Sequence, residues 1–425
     1  MNCLHLEVTD SSATGSSRRV TRITPDEGGA PIEIFHEFDR IMPLQNDAPL
    51  DGHVLPVFLY AASIGKPLKV HGGLTRTALR NFEELSLLWN RWRPNLYHRF
   101  EIIPERCIDE VNVPAEPAAI AAFSGGVDST FTALRHASSN PTNPRTRYPL
   151  RAALMVHGFD VDVYNFEDFR QLVERVRPLV DALGLDFRVL RTNSRDLRLQ
   201  DWRDTASLQL AGCLHMFSTK YQYGLLGSTK AYDELVLPYG SCPLTDQLMT
   251  GGNFSVVHDG AGFSRTEKVA AIAQDPLACQ VLKVCWAGAD QSKNCGRCEK
   301  CIRSQLNFLA VGAKTPPAFP GQLRVDDVRT MEIVTPCQVA EFASLLTYAR
   351  NHNIDGPWMP VLQEKLEAWA PIAEPNTEWA QLKTKISTSL APFGLDEPTK
   401  KLWRSMRRRI LKRFEQIIDS YRAVQ

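Results

Sequence analysis

The chain lacks most features that would assign it a place by composition. No apolar run approaches the ~18 residues of a membrane span. Lys+Arg 49 against Asp+Glu 48 leaves a net charge of +1, so no overall field points to a polyanion or an acidic bilayer. The opening MNCLHLEVTD has neither the basic n-region nor the apolar h-region of a secretory signal. Internal repeats and low-complexity tracts are missing too. So are two phosphate signatures. Without G-x-x-x-x-G-K-[ST] the sequence has no γ-phosphate P-loop, and without G-x-G-x-x-G it has no dinucleotide fingerprint. Ten cysteines in 425 residues are too few for a disulfide framework, and four of them fall between Cys285 and Cys301. That clustering points to a metal in a reducing compartment. The expectation is a cytoplasmic protein with no membrane segment.

What is present is ordinary globular material, 44% hydrophobic and 23% charged, enough for a real core. At about 150 residues per domain, the length predicts two to three domains. Residues 1–115 read as an amino-terminal α+β accessory domain. It has β-like pieces at Ile32–Phe35 and Val54–Tyr60, a turn-rich connector GKPLKVHGG, and helical spacing over 76–92 (Leu79, Phe82, Leu85, Leu88, Trp89). From 116 to 314 the pattern alternates. The short apolar runs AAIAAF, AALMVHGF, DFRVLRT, YQYGLLGS and FSVVHDG are separated by amphipathic stretches such as FEDFRQLVERVRPLVDALG and TASLQLAGCLHMFSTKY. This predicts an α/β fold, a parallel sheet with helices on both faces, whose ligands collect at the carboxyl ends of the strands. Residues 315–425 open on the linker TPPAFPGQ and are mainly helical by pattern. Within them, KKLWRSMRRRILKR at 400–413 carries eight cations, leaving the rest of the chain at 1 − 8 = −7. Leu402, Trp403, Met406, Ile410 and Phe414 would form the apolar face of that helix, with the cations opposite, free to meet solvent, an acidic partner or a nucleic acid.

The stretch AAFSGGVDSTFTALRH (121–136) carries the chemistry. A buried-type strand runs into Ser124-Gly125-Gly126, and a helix starts just beyond. Two glycines let backbone N–H groups face one concavity, Ser124 and Ser129 add hydroxyls, and the helix adds the positive end of its dipole. The expected guest is a phosphate or pyrophosphate. SGGVDS resembles the signature of the PP-loop (N-type) ATP pyrophosphatases, which cleave ATP between the α and β phosphates and adenylate a carboxylate or carbonyl oxygen. The resemblance implies that Phe123, Ser124, Gly125, Gly126, Val127, Asp128, Ser129 and Thr130 bind ATP. It makes Asp128 and Ser129 catalytic, with Asp128 near Mg²⁺. It also places the adenine and ribose near HGFDVD (157–162), which brings in His157. Ser228 and Thr229 stand at a further strand end.

The second pattern is Cys285-x9-Cys295-x2-Cys298-x2-Cys301. Four thiolates with no spare ligand describe a closed, structural Zn²⁺ site. An iron–sulfur cluster is the rival, although the bacterial ferredoxin run needs a further cysteine where residue 305 is Gln. Cys279 could replace Cys285 as first ligand. A knuckle of this form behind a PP-loop resembles 7-cyano-7-deazaguanine synthase, through SGGVDS, the SRTEK segment at 264–268 and CW…CGRCEKCIRS at 285–304. In that family ATP activates the carboxylate of 7-carboxy-7-deazaguanine, ammonia gives the amide, and a second ATP dehydrates it to the nitrile. Arg265 and Lys268 then become candidates for the phosphates or the substrate carboxylate, while Ser264 and Glu267 also read as a capping box.

The likeness covers about residues 116–310. The family's tyrosine-proline-aspartate-cysteine segment is replaced by LPYGSCPLTDQLMT, and both ends are extended. In that long architecture the chain is similar to synthase-like proteins of anti-phage defence cassettes, such as the C component of the Qat system. This implies a protein partner from the same operon and an acceptor that is either ammonia or a macromolecular amine. Two other functions fit the same residues, a nucleobase thiolase carrying an iron–sulfur cluster and a nucleotide-binding scaffold without turnover.

Overall fold

Ten strands form one sheet in a computed structural model, which describes residues 2–13, 16–42, 48–109, 117–138 and 144–369. In chain order they are β1 (Leu4–Ala13), β2 (Ser16–Pro25), β3 (Ile32–Phe38), β4 (Leu68–Thr75), β5 (Ile102–Ile108), β6 (Ala119–Ala122), β7 (Leu150–His157), β8 (Asp186–Thr192), β9 (Tyr223–Gly227) and β10 (Ser255–Asp259). Across the sheet they run β10-β9-β6-β7-β8-β3-β2-β1-β4-β5. The five strands from β10 to β8 pair parallel, as the alternating pattern predicts. The order turns back at β6, which has β7 on one side and β9 on the other. Such a reversal opens a crevice at the carboxyl ends of the two strands, here where the glycine turn leaves β6.

Helices cover both faces, and the pleat shows which residues serve each. On β6, Ala119 and Ala121 enter one core, while Ile120 and Ala122 enter the other. Ala153 and Met155 of β7 join the first, with Val127 and Phe131 of helix Val127–His136 and Phe169, Leu172 and Val176 of helix Phe166–Ala182. Ala152 and Leu154 join the second, with Leu208 and Leu214 of helix Trp202–His215.

β3 pairs antiparallel with β8 (His36↔Thr192, Phe38↔Leu190), so the leading strands extend the same sheet, and their core is continuous with that under β6 and β7. The chain from Met1 to Leu366 is accordingly one compact unit, within which the helices Val325–Thr330 and Pro336–Asn351 also lie. Two local expectations are corrected. Val54–Tyr60 is helical, in a run from Asp51 to Ile64. Val54, Leu55, Val57, Phe58 and Leu59 are all essentially inaccessible, and an apolar run buried all round carries no period to separate helix from strand. GKPLKVHGG contains β4. Leu68 and Val70 face the core, and its pairing with β5 shifts register between Val70 and Gly73, so the glycine pair marks a bulge, not a connector. Among the described residues no helix is long and apolar enough to cross a membrane. The basic stretch 400–413 lies outside the described residues.

Three of the buried histidines, His36, His53 and His215, are held neutral by their surroundings. His36 is inaccessible with neither ring nitrogen partnered, His53 Nδ1 meets Thr21 Oγ1 at 2.8 Å, and His215 Nε2 meets Met249 O at 2.7 Å. Burial, with Arg19 adding repulsion, brings His36 down to about 3; burial brings His215 to about 4 and puts His53 well below its usual value. Above pH ~6.5 all three are neutral in folded and unfolded chains alike. Below it only the unfolded chain takes up protons, so each imidazole removes up to about 1.4 kcal/mol of stability per pH unit. Asp51, raised by burial, offsets part of this. The expected result is a melting temperature that falls steeply from pH 7 to pH 5, with a smaller drop in His36→Leu.

Candidate functional site

Just past the end of β6, Phe123 N–H donates to Leu154 O at 2.8 Å, and the chain then turns within three residues. Gly125 makes the turn with φ +75°, a conformation that L side chains rarely adopt, and a Cβ there would lie 3.0 Å from Val176 Cγ1. The hydroxyls tie the loop to itself. Ser129 Oγ accepts from Ser124 N–H at 3.2 Å and lies 3.2 Å from Gly126 O, and Ser124 Oγ accepts from Gly126 N–H at 3.3 Å. Helix Val127–His136 starts after Gly126 with no side-chain cap, so its first amides are left for another acceptor. Its other end is fixed by buried Asp259 of β10, which accepts from Thr132 (2.8 Å) and Arg135 (2.8 Å) and meets His136 Nε2 at 2.9 Å. Ser124 is exposed, and Gly126, Asp128 and Ser129 are half-buried. Phe123, Val127 and Thr130 put their side chains into the interior, so only their backbones belong to the turn.

Asp128 is the anchor of an ionic network. Arg265 Nη2 donates to its Oδ2 at 2.9 Å, and Lys268 Nζ reaches Oδ1 at 3.5 Å while also donating to Ser228 Oγ at 2.8 Å. Burial raises the Asp128 carboxyl, but Arg265, Lys268 and Arg303 outweigh it and hold the group below the usual carboxylate range. Arg265 and Lys268 lie one turn apart on helix Arg265–Ile272, which starts at the capping box of Ser264 and Glu267. The cap and the ionic role therefore coexist in SRTEK. Arg265 Nε lies 3.5 Å from Glu341 Oε2, and Glu341 also pairs with Arg303 and Lys230. Arg303 Nε in turn meets Glu299 Oε1 at 2.9 Å. Four cations thus face three carboxylates, all largely buried. Burial, with Arg265 nearby, lowers Lys230 to about 8, and burial lowers Lys268 although Asp128 opposes it.

The four cysteines converge as the spacing implies. Their sulfurs all lie within 4.8 Å of one another, with Cys298–Cys285 at 3.6 Å and Cys295–Cys301 at 3.9 Å. Thiolates about 2.3 Å from one tetrahedral metal stand roughly 3.8 Å apart, so this set could hold a single ion. Cys285 is the first cysteine of the cluster, whereas the Cys279 sulfur contacts Ile272 O at 3.5 Å. Gly296 turns the chain between Cys295 and Cys298 at φ +79°, where a Cβ would meet Pro320 Cγ at 2.9 Å. Asn294 clamps the knuckle, accepting from Val284 N–H (2.9 Å) and Cys285 N–H (3.2 Å) and donating to Leu282 O and Ala318 O. Lys283 N–H donates to Gly125 O at 2.7 Å, which joins knuckle and glycine turn directly.

His157 lies at the end of β7 but is enclosed. It stacks on Phe169 with ring centroids 4.2 Å apart, and Nε2 meets Asp162 O at 2.9 Å, so the side chain braces the 158–165 loop. Burial lowers its pKa. Sequence patterns singled out Asp128, Arg265 and Lys268 but gave no role to Lys230, Arg303 or Glu341. Arg303 stands two residues after Cys301, a signal that was available. Glu341 lies inside an otherwise plain helix, with none. No family model, curated protein or solved structure matches the chain.

Two outcomes are expected. Elemental analysis of the purified chain should find one metal ion per molecule, lost in Cys301→Ser together with several degrees of melting temperature. Gly125→Ala should destabilise by about 1–2 kcal/mol in denaturant unfolding, from the left-handed backbone alone.

Proposed function

We propose that this protein uses ATP to adenylate a carboxylate, releasing pyrophosphate, and passes the activated acyl group to a nitrogen nucleophile. The acid would be 7-carboxy-7-deazaguanine, and the product an amide or nitrile, formed in anti-phage defence or in modification of a base or protein. The observation that carries this is the uncapped glycine turn at the reversal of strand order, with a surplus of buried cations converging on its Asp128. Buried positive charge in excess is unfavourable until an anion joins it, and pyrophosphate is the anion this reaction produces. The loop amides and the helix start would stabilise charge developing on the leaving phosphates. Arg265 and Lys268 would neutralise it from the opposite side.

Mg²⁺ typically takes one or two carboxylates and completes its shell with phosphate oxygens and water, and Asp128 would hold it in exchange for contacts with Arg265 and Lys268. When bound it would supply further charge neutralisation. Zinc fits the four-thiolate knuckle as a structural ion. Sulfurs this close favour one metal over a cluster that spreads its thiolates across several irons, which weighs against the thiolase alternative. Its service to the site would be mechanical. The knuckle holds Lys283 on Gly125 and starts the helix Glu299–Ala310 that presents Arg303.

Pyrophosphate release from Mg·ATP should depend on 7-carboxy-7-deazaguanine and fall by about a hundredfold or more in Asp128→Asn. Release of inorganic phosphate and ADP in its place would overturn the proposed chemistry.

A further inference from the structure

Glu341 is the last member of the ionic network along the chain and comes from a helix separate from the knuckle. It lies on helix Pro336–Asn351, whose neighbouring Phe342, Leu345, Leu346 and Ala349 are buried against Ile302 and Leu306 of helix Glu299–Ala310. The helix backbone is therefore anchored by apolar packing, and only side-chain torsions are free to move the carboxylate. That carboxylate is 4% exposed and surrounded by Lys230, Arg265 and Arg303. The three cations come from three places, the loop after β9, helix Arg265–Ile272 and helix Glu299–Ala310. A carboxylate that only balances charge needs one partner. Three cations on one carboxylate, one of them (Arg265) also bound to Asp128 of the glycine turn, make a seat of the kind that receives a ligand's oxyanion.

We propose that the Glu341 side chain occupies a ligand oxyanion's seat, built by Lys230, Arg265 and Arg303, and that the ligand binds by displacing this carboxylate while its helix stays packed. The inference rests on the ATP-dependent activity proposed above and adds a self-competing group to its site. With the seat filled by the chain's own carboxylate, only the fraction of molecules in which Glu341 has withdrawn can bind, and apparent affinity falls by that fraction. The occupant is an oxyanion, either a phosphate of the nucleotide or the carboxylate of the acid substrate.

Binding of inorganic pyrophosphate and, separately, of nicotinate to the full chain is measured by titration calorimetry in wild type and Glu341→Gln, which keeps the shape and removes the charge. At least one of the two should bind about tenfold or more tightly in the variant. A gain confined to pyrophosphate assigns the seat to a phosphate, and a gain confined to nicotinate assigns it to the carboxylate. Glu341→Asp, which withdraws the charge by one methylene, should give a smaller gain of the same sign and serves if the glutamine variant does not fold. Unchanged or weaker binding of both ligands in a folded variant, or no binding to either protein, overturns the proposal. Pyrophosphate release from Mg·ATP by the wild type is read independently, so loss of this inference and loss of the activity are told apart.

Discussion

Burying four cations with three carboxylates around one turn is the constraint from which the rest of this architecture follows. Each ion taken from water costs several kcal/mol unless its partners are held in place. The partners here arise at positions 128, 230, 265, 268, 299, 303 and 341, spread over more than half the chain. Holding them together requires rigid elements on every side. The sheet fixes the turn, the capping box fixes the start of the helix bearing Arg265, and the knuckle fixes the start of the helix bearing Arg303. The four-cysteine cluster is thereby tied to the charged site, through Lys283 on Gly125 and through the helix that carries Arg303.

The sheet has a second consequence for the same site. Because β3 pairs with β8, the leading strands and the parallel strands share a core. The buried histidines and the glycine turn therefore belong to one compact unit.

The parallel half of the fold is legible in the sequence because its strands are short, apolar and evenly separated by amphipathic helices. Asp128, Arg265 and Lys268 are legible because they sit in or beside motifs whose local geometry is fixed by glycine and by capping. The helix at 51–64 is not, since residues apolar on all sides carry no period. Neither is the continuity of the sheet, because antiparallel pairing of β3 with β8 depends on a register between residues some 150 positions apart. Glu341 escapes for a similar reason. An acidic residue on a helix is ordinarily solvated, and only tertiary packing sets this one among three cations. His157 shows the converse, a polar residue at the expected strand end whose contacts are taken up by its own loop.

Among the described residues β5 forms one margin of the sheet, so the leading segment sets what that edge offers to a neighbouring strand. A core stopping at β8 would offer a row of unpaired backbone groups to any passing strand. The strand that occupies the margin instead contains Pro104, which has no N–H to give, followed by exposed Glu105 and Arg106. Residues that contribute nothing to the ionic site thus make this edge a poor template for a further strand.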